Sequence, residues 1–539
     1  MLKSLQNKPI LFISLVVIVM LIFSIDTLPV SIMEARNFIT AREMITDGNW
    51  LLTTMNGEAR YEKPPLPTWF SAIFGLIFGI KSVVAFRFPT LILITIIGVF
   101  TFLLSKKLVN NTSHSLINGL IVITSFYVIG ITLEAPWDIY THGFMLVAIY
   151  YVFQLFGSEK NNVKHILLAS FFMGCSILSK GPISIYALLL PFLLAYGFSY
   201  KFKNVKSKLL PFLIVFVLAI IIGGWWFLFV RLTDPETFIS IAERETSNWH
   251  SYNVKPFYYY WSFFTQSGIW TIPAFISLLY PYLKTRVSNL KAYKFSLFWT
   301  LFAVILLSVI PEKKSRYLMP VLIPLAINTG FYIEYLIRRF KDIKDKRETI
   351  PVYFNFGLIA LIGIAIPVIV YLQLEGEFSN ILLFIVATIV VLSISLLLIY
   401  QLKKKNIEHS FLLTVVFFVS VFMLVLPLLK PIIGTANKPI SNLKQDNFKV
   451  YGFNYVSPET IWQYGDKIPP IKLEDGTFNF PKEHQFGMLV NGISPEDWEV
   501  LLSKYNVQEV DEFDLNAVPS DSKKYNGRLN NYYYILTKN

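Results

Sequence analysis

The sequence predicts a mainly α protein: a polytopic transmembrane helical bundle of about thirteen spans, followed by a small soluble α/β domain. Three observations carry this reading. Of its 539 residues, 54% are hydrophobic and only 15% charged, against about a quarter charged in ordinary soluble domains. The apolar residues fall in long uncharged runs, and a span needs about 20 of them to cross the hydrocarbon layer. The excess of Lys and Arg sits in short loops between those runs, as the positive-inside rule requires.

The runs lie near 10–30, 84–105, 114–133, 138–157, 164–179, 183–199, 208–231, 265–283, 294–310, 316–337, 352–372, 380–401 and 408–430. Leu11 to Val30 is too long for a cleaved signal and lacks a small-residue cleavage site before Asp26, so it reads as a retained span. The stretch 66–80 is apolar but short and rich in Gly and Pro. Leaving it out puts Lys106–Lys107, Lys160 with Lys164, Lys201 to Lys208, Lys284 to Lys294, Arg338 to Arg347 and Lys403 to Lys405 on one side. These are the most basic short loops, so that side is cytoplasmic, with the N-terminus. The first outer loop is then 31–83, with 66–80 partly inserted. The net charge of +13 belongs to this topology rather than to a nucleic-acid partner. The single cysteine, Cys175, lies in an apolar run; it excludes an intramolecular disulfide and a cysteine metal cluster.

From 431 to 539 the chain looks soluble, and 1–430 forms the membrane domain. Strand-like runs occur at Phe448–Tyr455, Gln485–Val490 and Tyr532–Leu536. Helix-like stretches occur at Pro458–Tyr464 and Pro495–Tyr505, the second with Ser494 as N-cap.

Charges in hydrocarbon are costly, so their placement is informative. Glu34, Glu62, Lys63, Glu134, Asp138, Lys180, Lys313, Lys314 and Arg316 all fall at outer ends of spans, which predicts a polar chamber on that face. In the first loop, Glu34–Asp47 suits an amphipathic helix in the interface plane, with Arg36, Thr40, Glu43 and Asp47 on one stripe. Gly48–Asn49 ends it. Lys63 precedes two prolines that hold it rigidly. It suits either a phosphate contact or a snorkelling interfacial lysine. His142, four residues after Asp138, fits a packed histidine best. Trp225–Trp226 and Tyr258–Trp261 suit an interfacial aromatic belt.

Several motifs together carry a family resemblance. Glu34-Ala35-Arg36, Ala41-Arg42-Glu43-Met44, Gly48-Asn49-Trp50, Asn56-Gly57-Glu58 and Tyr61-Glu62-Lys63-Pro64-Pro65 follow one another in the first loop. Ser179-Lys180-Gly181-Pro182, Lys255-Pro256-Phe257-Tyr258-Tyr259-Tyr260 and Lys313-Lys314-Ser315-Arg316-Tyr317-Leu318-Met319-Pro320 come later. Over roughly residues 10–340 the chain resembles bacterial lipid-carrier-dependent glycosyltransferases, which include the aminoarabinose transferase of lipid A and the protein-mannosyltransferase-like superfamily.

That resemblance implies an inverting transfer of a sugar, such as aminoarabinose or a hexose, from a polyprenyl-phosphate donor such as undecaprenyl phosphate. The acceptor is lipid A, another envelope glycolipid or a protein, on the periplasmic side of the bacterial inner membrane. It also implies catalytic carboxylates at Asp138 and Glu34, the latter beside Met33, which replaces the family's usual aspartate. Lys63, Tyr317 and Arg244 are implied as donor-phosphate contacts, and Glu62 and His250 as ligands of a divalent metal ion. The donor is already activated, so no nucleotide cofactor is expected, and the sequence holds no nucleotide motif. A non-enzymatic transporter or flippase of lipid-linked sugars is the competing reading; it predicts charges at the bilayer midplane and repeated broken helices.

Overall fold

The computed structural model describes residues 5–134, 136–158, 162–202, 205–375, 380–434, 436–440, 443, 448–473 and 475–539. Among these, nine helices are long and apolar enough to cross a membrane: Val83–Val109, Trp137–Gly157, Val163–Lys180, Lys206–Thr233, Leu290–Val309, Ser315–Arg339, Lys346–Gln373, Ile381–Lys403 and Ile407–Leu428. The other four expected spans take shorter forms. Run 10–30 is helical over Pro9–Leu21, and run 114–133 divides into Thr112–Ile123 and Phe126–Glu134. Run 183–199 starts with a π turn at Ile185–Leu189, and run 265–283 is broken. There Gly268 takes φ +66° inside the 3-10 segment Phe263–Trp270, kinking it before the short helix Thr271–Ser277.

The chain packs as two compact units. The first comprises Met1–Ile25, Tyr61–Pro67 and Arg87–Leu428, and the second Asp26–Arg60, Thr68–Phe86 and Leu429–Asn539. Most of the first loop, expected to belong with the spans, is therefore grouped with the tail.

In the first unit, small residues let helices approach. A Cβ on Gly223 would stand 2.6 Å from the Gly174 carbonyl oxygen and 2.5 Å from Ile177. Only glycine therefore allows Val205–Thr233 to lie so close to Val163–Lys180.

In the second unit, the expected first-loop helix runs from Ile32 to Asp47 and ends at Gly48, φ +78°. Its environment differs from the expected interfacial one. Glu34, Ala35, Asn37 and the run Phe38–Met44 are all buried, because the polar stripe has partners inside the unit. Glu43 Oε1 accepts from Asn56 N at 2.6 Å, and Oε2 from Thr54 Oγ1 at 2.6 Å and Gly57 N at 3.2 Å. The carboxylate thus caps the Asn56–Gly57 turn, both residues at positive φ, between strands Thr54–Met55 and Glu58–Ala59. Arg42 donates to the carbonyls of Ile461 and Asp466, filling the end of helix Pro458–Tyr464 where intrahelical donors run out. Asn56 exchanges two hydrogen bonds with the Ile468 backbone, at 2.8 and 2.7 Å.

The tail is an α/β domain. Its sheet has the order Val450–Gly452, Gln485–Val490, Asn530–Lys538, Tyr505–Asp514. The first pair is parallel and the others antiparallel. Ser494 caps Pro495–Leu502 as expected, accepting from Asp497 N at 3.2 Å. The helix stops at Leu502, and the edge strand Tyr505–Asp514 follows where none was expected.

Candidate active site

Asp138 opens one helix of the first unit and Lys180 closes the next. The two helices run antiparallel, so the start of the first lies beside the end of the second. They are tied where Thr141 meets Ser176. Thr141 Oγ1 donates to Ser176 O at 2.9 Å, and Ser176 Oγ to Thr141 O at 2.6 Å. Gly181, at φ +77°, stops the second helix directly after Lys180.

There Lys180 Nζ donates to Asp138 Oδ1 at 2.5 Å. Asp138 is 2% exposed, and its Oδ2 has no partner among the described residues. His142 Nε2 stands 4.0 Å from the same Oδ1, and its Nδ1 also has no partner there. An unmet buried polar atom costs about 1–3 kcal/mol, so such atoms mark places where a ligand or water completes the structure.

Tyr317 stands next to this pair, at the entry to the helix Met319–Arg339. Three cations surround its ring: Lys180 at 5.2 Å, Lys314 at 5.7 Å and Arg316 at 5.8 Å from the centroid. Glu312 balances part of that charge, pairing with Lys314 at 2.6 Å and accepting from Tyr317 Oη at 3.2 Å. Arg316 Nε is buried without a partner among the described residues. Lys63 and Arg316 both lie close enough to Lys180 to repel its charge. A concentration of cations around an oriented phenol suits a bound phosphate.

The third part is Tyr61-Glu62-Lys63, which lies along the helix Pro235–Ser251. Tyr61 Oη donates to Asp234 at 3.0 Å, Arg244 to Glu62 at 2.8 Å, and Lys63 Nζ to Glu245 at 3.0 Å. Burial, then the Asp234 bond, pushes the Tyr61 phenol up to about 12. The Thr237 hydrogen bond, followed by that of Tyr61, holds the Asp234 carboxyl below its ordinary value.

Asp138, Lys63, Tyr317, Arg244 and Glu62 all belong to the first unit. Glu34 belongs to the second, where it completes a capping box: its Oε2 accepts from Ser31 N at 3.0 Å, and its own N–H donates to Ser31 Oγ. The side chains of His250 and Glu134 lie outside the described residues. Among the described residues no group of three His, Cys, Asp or Glu gathers to hold a metal. Glu62, the other expected ligand, pairs with Arg244 at 2.8 Å. The sequence places Lys180, Lys314 and Arg316 only as charges at one face, without a role. Consecutive helices whose near ends both carry charge, Asp138 and Lys180, were the signal for the first of them.

Residues 62–226 match the family model described as dolichyl-phosphate-mannose-protein mannosyltransferase. The chain is 26% identical to an uncharacterized protein of Aquifex aeolicus (strain VF5), over 69% of each. It is 25% identical to the undecaprenyl phosphate-alpha-4-amino-4-deoxy-L-arabinose arabinosyl transferase of Shewanella sediminis (strain HAW-EB3). That match covers 64% of this chain and 63% of that protein. The crystal structure of ArnT from Cupriavidus metallidurans bound to undecaprenyl phosphate superposes with a TM-score of 0.70 at 15% identity, over 97% of both chains. The chain resembles the lipid-carrier-dependent glycosyltransferases. It shares the ArnT fold, a multi-pass helical body with a small C-terminal sheet.

Proposed function

We propose that this protein is an inverting membrane glycosyltransferase that uses a sugar linked to a polyprenyl phosphate. The observation that carries the reading is the buried Asp138 with one unpartnered oxygen, set beside Lys180 and the cation-ringed Tyr317. An acceptor hydroxyl is a poor nucleophile and gains from a positioned carboxylate. Asp138 Oδ2 takes its proton as the oxygen attacks the anomeric carbon. The bond from that carbon to the phosphate oxygen breaks on the opposite face, and the prenyl phosphate leaves with its electron pair. Lys63, Lys180, Lys314 and Arg316 stabilise the charge that develops there. Arg244, which holds Glu62 beside Lys63, adds a further cation for the donor phosphate.

The named arabinosyl transferase relatives make undecaprenyl-phosphate aminoarabinose the first donor to test, with lipid A, another envelope glycolipid or a protein as acceptor. The basic loops put the N-terminus in the cytoplasm and the tail in the periplasm of the inner membrane. A transporter is not favoured, because these likenesses run to transferases and the cluster is at span ends.

The test is incubation of the purified protein with polyprenyl-phosphate sugars and envelope fractions, following release of prenyl phosphate. Lys63→Ala, which removes a charge-assisted phosphate contact, should slow release about a hundredfold with folding retained. Normal turnover by that variant would remove Lys63 from the donor site.

A further inference from the structure

Lys313 has no part in the scheme above. It is 3% exposed, and a buried ammonium is costly unless its donors are matched. Its Nζ donates to the carbonyl oxygens of Ile310 at 2.5 Å and Lys255 at 3.0 Å, with Pro311 O at 3.5 Å. It has no ion pair among the described residues, and burial pushes its pKa below that of an ordinary lysine.

The carbonyls come from two segments, 253–260 and 310–314. Val254 pairs with Glu312 in an isolated antiparallel bridge. Lys255 N donates to Pro311 O at 3.2 Å and Lys313 N to Asn253 O at 3.1 Å. Tyr260, 1% exposed, closes one end: its hydroxyl donates to Lys314 O and accepts from Lys314 N, both at 3.0 Å. A ribbon this short is marginal alone, and the ammonium adds one charge-assisted tie across it, to Lys255 O, while Ile310 O and Pro311 O hold it in its own segment. The next residues are Lys314, Arg316 and Tyr317, which form the cation-ringed site.

We propose that Lys313 is a positioning residue. Its carbonyl-bound ammonium locks segment 253–260 to segment 310–314 and so sets where Lys314, Arg316 and Tyr317 stand. The effect on ligand binding rests on the transferase reading; the effect on the ribbon does not.

The experiment compares the full-length protein with Lys313→Met, which keeps the length and loses the donors. Hydrogen exchange at the amides of residues 255 and 313 should quicken about tenfold or more, the equivalent of one charge-assisted hydrogen bond. Exchange in Leu290–Val309 and Met319–Arg339 should not change. Undecaprenyl phosphate should bind on the order of tenfold to a hundredfold more weakly, as expected for a misplaced contact set. In Lys313→Ala, propylammonium should restore both readings, and propanol, of similar shape without charge, should not. Unchanged exchange in the Met variant would overturn the proposal, as would lost protection with unaltered affinity, or equal rescue by propanol. Wild-type protein that binds no undecaprenyl phosphate would sink the transferase reading alone, while the exchange data would still decide the tie.

Discussion

Two buried carboxylates, Glu43 and Asp138, are similarly hidden, at 1% and 2% exposed, and they are treated in opposite ways. Glu43 in the second unit accepts three hydrogen bonds from one turn, and Arg42 beside it is occupied by backbone carbonyls. Asp138 in the first unit has one ammonium partner and one oxygen left over. Buried polar groups in native proteins are nearly always satisfied. The contrast separates a carboxylate whose oxygens are both used to hold a loop from one with an oxygen left open, which the proposed function uses as the base. Motif residues of the same resemblance fall in both classes, so matching a motif does not by itself identify a catalytic group.

The comparison is broken most directly at Asp138. Asp138→Asn should lower the transfer rate per folded molecule by about 10²- to 10⁴-fold, the range for a lost general base. It should also lower the melting temperature, because the buried Lys180 ammonium loses its counter-charge. Rate and melting temperature, measured on the same preparations, check this; a variant that stays active removes Asp138 from the mechanism.

Glu43→Ala tests the other side. It strands the Asn56 and Gly57 amides and the Thr54 hydroxyl, and should destabilise the second unit by about 3 kcal/mol. Amide exchange over 54–59 is the measurement. Intact protection there, coupled with a dead enzyme, would place Glu43 in the chemistry and erase the distinction.

A smaller effect is expected at Glu245. Its pair with Lys63 is partly exposed, at 40% and 25%, and such pairs contribute about 0.2–1 kcal/mol. If Lys63 exchanges Glu245 for phosphate, Glu245→Gln should tighten undecaprenyl phosphate binding by about two- to fivefold, since 1 kcal/mol is roughly a factor of five. Weaker binding would mean that Glu245 helps to build the site.

The sequence carried the helical body well, because among the described residues nine of the expected runs are helices long and apolar enough to cross a membrane. It carried their breaks poorly. Run 265–283 has the composition of a span, but Gly268 turns the chain at positive φ. The strand Tyr505–Asp514 was missed because it reads as acidic rather than alternately apolar. It is an edge strand, and edges tolerate and exploit charge. At the site, Asp138, Lys63 and Tyr317 were legible through motif matching. The partners Glu245 and Glu312 were not, because residues far apart in the chain meet only when the spans pack. In the sequence Lys313 is one more charge at the outer end of a span, and only its burial among carbonyls distinguishes it.

The smallest expected effect is at Glu34, the carboxylate next to Met33, which stands where the family pattern has its aspartate. Its Oε2 holds the Ser31 amide, while Ser31 Oγ receives the Glu34 amide. Glutamine fills the third position of such a box as well as glutamate does, since its amide oxygen accepts the same hydrogen bond. What Glu34→Gln removes is a negative charge at a helix N-terminus, typically 0.3–1 kcal/mol of favourable dipole interaction. We therefore expect Glu34→Gln to cost the helix Ile32–Asp47 no more than about 1 kcal/mol, and to leave the transfer rate within about twofold of wild type. Glu34→Ala, which also vacates the Ser31 amide, should destabilise the helix further without lowering the rate per folded molecule. Initial rates normalised to folded protein, with amide exchange over 32–47, separate the two contributions. A Glu34→Gln protein with normal exchange and no turnover would show that the proton goes to Glu34, and that its capping bonds coexist with catalysis. Asp138 would then be left as the counter-ion of Lys180.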